Sequence, residues 1–255
     1  KDAKNLMVGG VLASIQPKEI EAATGIKPHV GILNKPGQLD KGDTQIIDEL
    51  PLDYSILDEI EYEYPMSNAF YGYLTRGCIR KCPFCAVPTL EPVYNPYIQI
   101  SERVNAVREL YGDQRDMLLM DNNVLASENF KEIVDDLIKA GFGKGAMYEE
   151  PNHLEIAVRN LRNGINDRAY IRKTQSLLRE LCGKAKGEDS YVVYRVMKDN
   201  YVDKLTTATK DNLLLTYERV KDIALKYHRP KRVRRTLDFN QGVDARLFTE
   251  ENTKL

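Results

Sequence analysis

Between residues 68 and 142 short apolar runs alternate with amphipathic helical text, and this alternation restricts the possible architectures more than any other feature of the chain. The run "NAFYGYLTRG" has the aromatic and β-branched content of a strand. "SERVNAVRELYG" follows as a helix, with Ser101 as N-cap, Val104, Val107, Leu110 and Tyr111 on one face, and Gly112 as its stop. "DMLLMD" reads as a second buried strand. "SENFKEIVDDLIKAGF" is the clearest helix, capped by Ser127, with Phe130, Ile133, Val134, Leu137 and Ile138 forming an apolar stripe. Strands separated by helices of this length pair in parallel through right-handed crossovers, and such sheets bind ligands beyond the carboxyl ends of their strands. The pattern predicts an α/β fold whose chemistry sits in the loops that follow the strands.

The loop after the first strand, within "GYLTRGCIRKCPFCAVP", holds three of the four cysteines as C-x3-C-x2-C. Thiols this close converge on a metal in a reducing compartment rather than forming a disulfide framework. A closed zinc site needs a fourth ligand. Cys182 lies far along the chain on the apolar face of a predicted helix, where it reads as a buried thiol, and His29, His153 and His228 show no paired spacing. A ferredoxin-like carrier would also need a fourth nearby cysteine. Cys78, Cys82 and Cys85 suit a cubane iron–sulfur cluster held at three irons, with the fourth open to an exogenous molecule.

On these residues the chain resembles the radical S-adenosylmethionine superfamily. That family's loop is C-x3-C-x-aromatic-C, which "CIRKCPFC" matches with Phe84 in the aromatic slot, and the flanks "TRGC" and "FCAVP" are also typical. The resemblance implies a radical enzyme with a 4Fe-4S cluster on Cys78, Cys82 and Cys85. S-adenosylmethionine would chelate the open iron, and its reductive cleavage would give a 5′-deoxyadenosyl radical that abstracts hydrogen from a substrate the sequence does not identify. It also implies a reducing partner such as flavodoxin or ferredoxin. Phe84 and the strand-end residues Asp121, Asn122 and Asn123 become candidates for holding the cosubstrate, although Asp-Asn-Asn equally suits a turn capping the next helix. A third strand in "RRTLDFNQGVDARLF" brings Asn240, Gln241, Asp244 and Arg246 as polar candidates for the cosubstrate's ribose and carboxylate; Arg246 also suits a surface ion pair with Asp244. The methylthiotransferases, which modify RNA or protein, share the GC-x3-C-x2-C-x-x-P spacing, but their extra N-terminal cysteines are missing here. The rival from another class is a binding or scaffold protein stabilised by zinc or an inert cluster.

The front end resembles the end of the Rossmann-like cobalamin-binding domain that precedes the radical domain in one subclass. A strand at Leu6 to Val8, a Gly9-Gly10 turn and a helix in "QPKEIEAATGI" stopped by Gly25 are expected there. The resemblance implies that Gly9 and Gly10 pass close to cobalamin, while a plain structural turn is the alternative. The Asp-x-His-x-x-Gly segment that often supplies a cobalt ligand is absent. The expected organisation is this remnant plus linker over 1–50, the first half of a partial TIM-barrel-like domain over 51–145, a mostly helical insertion over 146–231, and the domain's continuation over 232–255. Within the insertion "HLEIAVRNLRNG", "RAYIRKTQSLLRELCG" and "KDNLLLTYERVKDIALKYH" read as helices and "SYVVYRVM" as a strand. Tyr191, Tyr194, Tyr201 and Tyr217 read as packing residues. With fewer strands than a complete barrel and a start at Lys1, the chain reads as a fragment of a longer protein.

Acidic and basic residues nearly cancel, to a net charge of −1, so nothing global attracts nucleic acid or a membrane. The basic run "HRPKRVRR" suits phosphate contact or, more simply, a solvated approach to a strand. No apolar run approaches the roughly 20 residues needed to span a bilayer, and no signal segment opens the chain, so a cytoplasmic protein is expected.

Overall fold

The computed structural model describes residues 6–60, 62 and 64–240. Its centre is a parallel three-stranded sheet of β1 (Ala69–Gly72), β2 (Asp116–Leu119) and β5 (Thr236–Phe239), in the order β1-β2-β5. Asp116 of the central strand lies opposite both Ala69 and Thr236, and Leu119 opposite both Gly72 and Phe239. The strands are in register, so the loops leaving all three emerge at one end. The sheet is open among the described residues, with β1 and β5 as its edges and no closed barrel.

Two helices make the β1-to-β2 and β2-to-β5 crossovers compact: α4 (Ser101–Tyr111) and α5 (Phe130–Lys139). Val104, Val107, Ile133 and Leu137 pack with Phe70, Met117 and Leu119 in one buried cluster. Each such side chain contributes about 1.5–3 kcal/mol by leaving water. The outer edge of β1 is closed by Tyr54, whose hydroxyl donates to Ala69 O at 2.9 Å and accepts from Tyr71 N at 3.1 Å. This phenol takes up backbone groups that an unpaired edge would expose.

The segment between β2 and β5 holds a second buried cluster, built by α6 (His153–Arg162), α7 (Asp167–Lys184), α8 (Glu188–Asp199) and α9 (Lys210–Tyr227). Its way in and way out are joined by an antiparallel pair, β3 (Met147–Glu149) with β4 (Arg232–Arg234). Arg235, just beyond, is tied to the sheet end by its donation to Gln114 O at 2.6 Å and an ion pair with Asp113. Residues 229–234 of the basic run are exposed, as a solvated approach requires. Among the described residues no helix is long and apolar enough to cross a membrane.

Several local expectations are corrected. "SYVVYRVM" is helical, within α8, because Val193, Val196 and Met197 repeat at helical spacing and all three are buried against neighbouring helices. Its β-branched content is overridden by that packing. Leu6 to Val8 form no strand: Leu6 and Met7 are exposed, and no strand lies among the described residues of 6–50 to pair with them. Two helices, α1 (Val11–Ile15) and the expected α2 (Pro17–Thr24), are present, and Gly25 closes α2 at φ 71°. Ser101 is the first residue of α4 rather than its cap. Asp136 of α5 supplies the missing acceptor instead, taking Ile100 N at 2.5 Å and Ser101 N at 3.2 Å. Ser127 does not cap α5, which starts at Phe130; its hydroxyl accepts from Asn129 N and donates to Pro96 O. Ile138 is exposed rather than part of the buried stripe.

Candidate metal centre beyond the first strand

The three clustered cysteines leave the carboxyl end of β1, where the parallel topology directs chemistry. Both flanks of the loop are pinned. On the β1 side, Asp121 at the end of β2 accepts Leu74 N at 3.0 Å, Thr75 N at 2.6 Å and the Thr75 hydroxyl at 2.7 Å. Asp121 is 2% exposed, and burial outweighs these donors to push its carboxyl above the usual range. Arg76 exchanges both backbone hydrogen bonds with Asn95, at 3.1 and 2.9 Å. Its guanidinium lies 3.9 Å from the Tyr73 ring centroid and pairs with Glu91 at 2.7 Å and with Asp48.

Gly77, immediately before Cys78, is the tightest point. Its N–H donates to Glu91 Oε2 at 2.6 Å, and its carbonyl accepts from Asn122 Nδ2 at 3.3 Å. Its φ is 70°, and a Cβ there would sit 2.6 Å from Val93 O, so both conformation and space require glycine. On the far side, α3 (Val87–Leu90) begins two residues after Cys85 and delivers Glu91 back to Gly77.

Inside this frame the loop is more loosely tied. Arg80 N donates to Cys78 Sγ at 3.4 Å and Cys85 N to Cys82 O at 3.0 Å. All three thiols are free; Cys78 and Cys82 are half-buried and Cys85 is exposed. Among the described residues no three His, Cys, Asp or Glu side chains are gathered into a metal-sized group, so the sulfurs stand apart along the loop. In kind the donors suit an iron–sulfur cluster, since three free thiols lie on one loop whose flanks are fixed. The Tyr94 hydroxyl is buried close to Ser127, beyond strict hydrogen-bond geometry. Its pKa is raised by burial above all; Ser127 opposes the rise, and Cys78, Glu128 and Asp121 add to it, which sets this phenol beside the cysteine loop.

The other residues singled out in the sequence divide. Phe84 is 92% exposed in the loop. Asp121 and Asn122 are turned toward the β1 loop, where they hold Leu74, Thr75 and Gly77; Asn123 is buried beside them. Asn240 follows β5 and donates its N–H to Leu119 O at 3.3 Å. Gln241, Asp244 and Arg246 lie outside the described residues. Gly9 and Gly10 are exposed; Gly10, at φ 95°, leads into α1, and a Cβ there would touch nothing. Cys182 packs against the helical cluster, its thiol 3.6 Å from Ser190 O. Sequence reading missed Glu91 and Tyr94, because no spacing rule links a residue beyond a short helix to the glycine it secures. Comparison with family models, with curated proteins and with solved structures returned no match.

Proposed function

We propose that this chain carries the cluster-binding part of a radical S-adenosylmethionine enzyme. The observation that supports it most is the C-x3-C-x-Phe-C loop at the carboxyl end of β1, pinned at both flanks and adjoined by polar residues from the end of β2. When bound, a 4Fe-4S cluster would supply one-electron reduction of S-adenosylmethionine and so a radical able to abstract hydrogen.

The chain's own residues would hold and orient. Cys78, Cys82 and Cys85 are the cluster ligands. Asp121, Asn122 and Glu91 are positioning residues that fix the loop's flanks through Thr75 and Gly77. Phe84 offers the cosubstrate an open ring face beside Cys85, and Asn123 and Asn240 stand at the ends of the neighbouring strands. A cytoplasmic setting would keep the thiols reduced. A flavodoxin- or ferredoxin-like protein would provide the electron. Cobalamin has no part in the proposal, since Gly9 and Gly10, the glycines the resemblance would set against it, are exposed.

Anaerobic reconstitution with iron and sulfide tests the reading. About four irons per chain are expected, together with a reduced paramagnetic signal that changes when S-adenosylmethionine is added. A colourless protein that takes up zinc instead would overturn it in favour of a metal-stabilised scaffold.

A further inference from the structure

A cavity of about 350 Å³ opens at the end of the same strands opposite the cysteine loop, between the sheet and the helical cluster. Asn68 and Gln114, which line it, stand just before β1 and β2. The volume is within the range of small-molecule sites, and junctions between packed units are where such sites concentrate. This junction is firmly made. Lys173 of α7 pairs with Asp58 at 2.8 Å, and Asn166 donates to Ser55 at 2.7 Å and Glu59 at 2.9 Å.

We propose that this cavity binds a neutral, planar heterocycle of the nucleobase or nucleoside type. Its walls carry open tyrosine rings: Tyr62 and Tyr64, both exposed and meeting edge to face with centroids 4.8 Å apart, and the partly exposed Tyr111, while the buried Tyr54 and Tyr170 form its floor. Such rings offer a base flat faces for stacking. Between them stand groups suited to the edge of a base. Burial, and then the nearby charge of Lys173, hold His153 below its ordinary pKa, so at neutral pH its ring both donates and accepts. Gln114 gives its Nε2 to Gly112 O at 3.3 Å, which fixes its side-chain amide at the cavity wall. The Tyr170 hydroxyl, pushed up to about 12 by burial, keeps its proton. Because Lys173 is already neutralised by Asp58, a neutral ligand suits the cavity better than an anion. The site is separate from the cysteine loop and does not rest on the cluster chemistry.

Calorimetry and saturation-transfer NMR on the full chain, with uridine and adenosine as probes, test the proposal. At least one nucleoside is expected to bind, and its monophosphate to bind no more tightly. Replacing Cys78, Cys82 and Cys85 together by alanine is expected to leave that affinity unchanged, which separates this site from any adenosyl site at the loop. Tyr170→Phe and His153→Gln are each expected to weaken binding about threefold to tenfold, the effect of one lost hydrogen bond. If Tyr170→Phe fails to fold by circular dichroism, the partly exposed His153→Gln decides alone. The proposal is overturned if neither nucleoside binds, if both variants bind as the wild type does, if the cysteine replacements abolish binding, or if the monophosphate binds clearly tighter.

Discussion

Replacing Asp121 by alanine removes the acceptor shared by Leu74 N at 3.0 Å, Thr75 N at 2.6 Å and the Thr75 hydroxyl at 2.7 Å. Asp121 is 2% exposed, so water does not take its place. Each orphaned buried donor costs about 1–3 kcal/mol, which puts the two backbone N–H groups alone at about 2–6 kcal/mol. For a chain of this size that is a fall of roughly 4–24 °C in Tm. Asp121→Asn should cost about 1 kcal/mol, since one carbonyl oxygen can still serve both Thr75 donors. The two variants should also separate in pH dependence. Burial raises the folded-state pKa of Asp121, so the folded chain holds a proton that the unfolded chain has released. Its share of stability is complete below the ordinary value of about 3.9 and declines as pH rises through the raised one. The difference in stability between wild type and Asp121→Asn should therefore shift in the asparagine variant's favour across that window. Urea unfolding followed at 222 nm, repeated across pH, measures both effects. An alanine variant as stable as wild type, or an asparagine variant as damaged as alanine, would refute the assignment of Asp121 to the β1 loop.

Gly77→Ala should lose iron uptake on reconstitution while keeping its helical circular dichroism. A left-handed backbone costs about 1–2 kcal/mol for a residue with a Cβ, and this Cβ would press on Val93 O at 2.6 Å, forcing the loop beside Cys78 to move. His153 is held below its ordinary pKa, so its share of stability is present above about 6.5 and lost as pH falls through the depressed value. His153→Gln should flatten that acid-side decline in a melting-temperature profile; an unchanged profile would show that the ring is not protected from protonation.

Long, strongly periodic elements were legible in the sequence. α5, α6, α7 and α9 all carry an apolar face over several turns, and β2 and β5 emerge where their apolar runs predicted. α8 was not, because "VVY" reads locally as strand and only contact with the other helices makes Val193, Val196 and Met197 a helical face. The cap of α4 was hidden for a related reason: its acceptor, Asp136, is 35 residues from Ser101 in sequence and is brought there by packing. At the candidate site the cysteines and Phe84 declared themselves by spacing. Asp121 and Asn122 were legible as strand-end polar residues, but their orientation toward Thr75 and Gly77 depends on the register of β1 and β2. The clamp from Glu91 and the cavity around Tyr170 are products of tertiary structure and leave no local pattern.

The most direct test of the central proposal is release of 5′-deoxyadenosine from S-adenosylmethionine by the reconstituted, reduced chain. The account predicts product from the wild type and from Cys182→Ser, and none from Cys78→Ala, Cys82→Ala or Cys85→Ala. No product from a wild-type chain loaded with its full complement of iron, or product that persists when one of the three clustered cysteines is replaced, would contradict it.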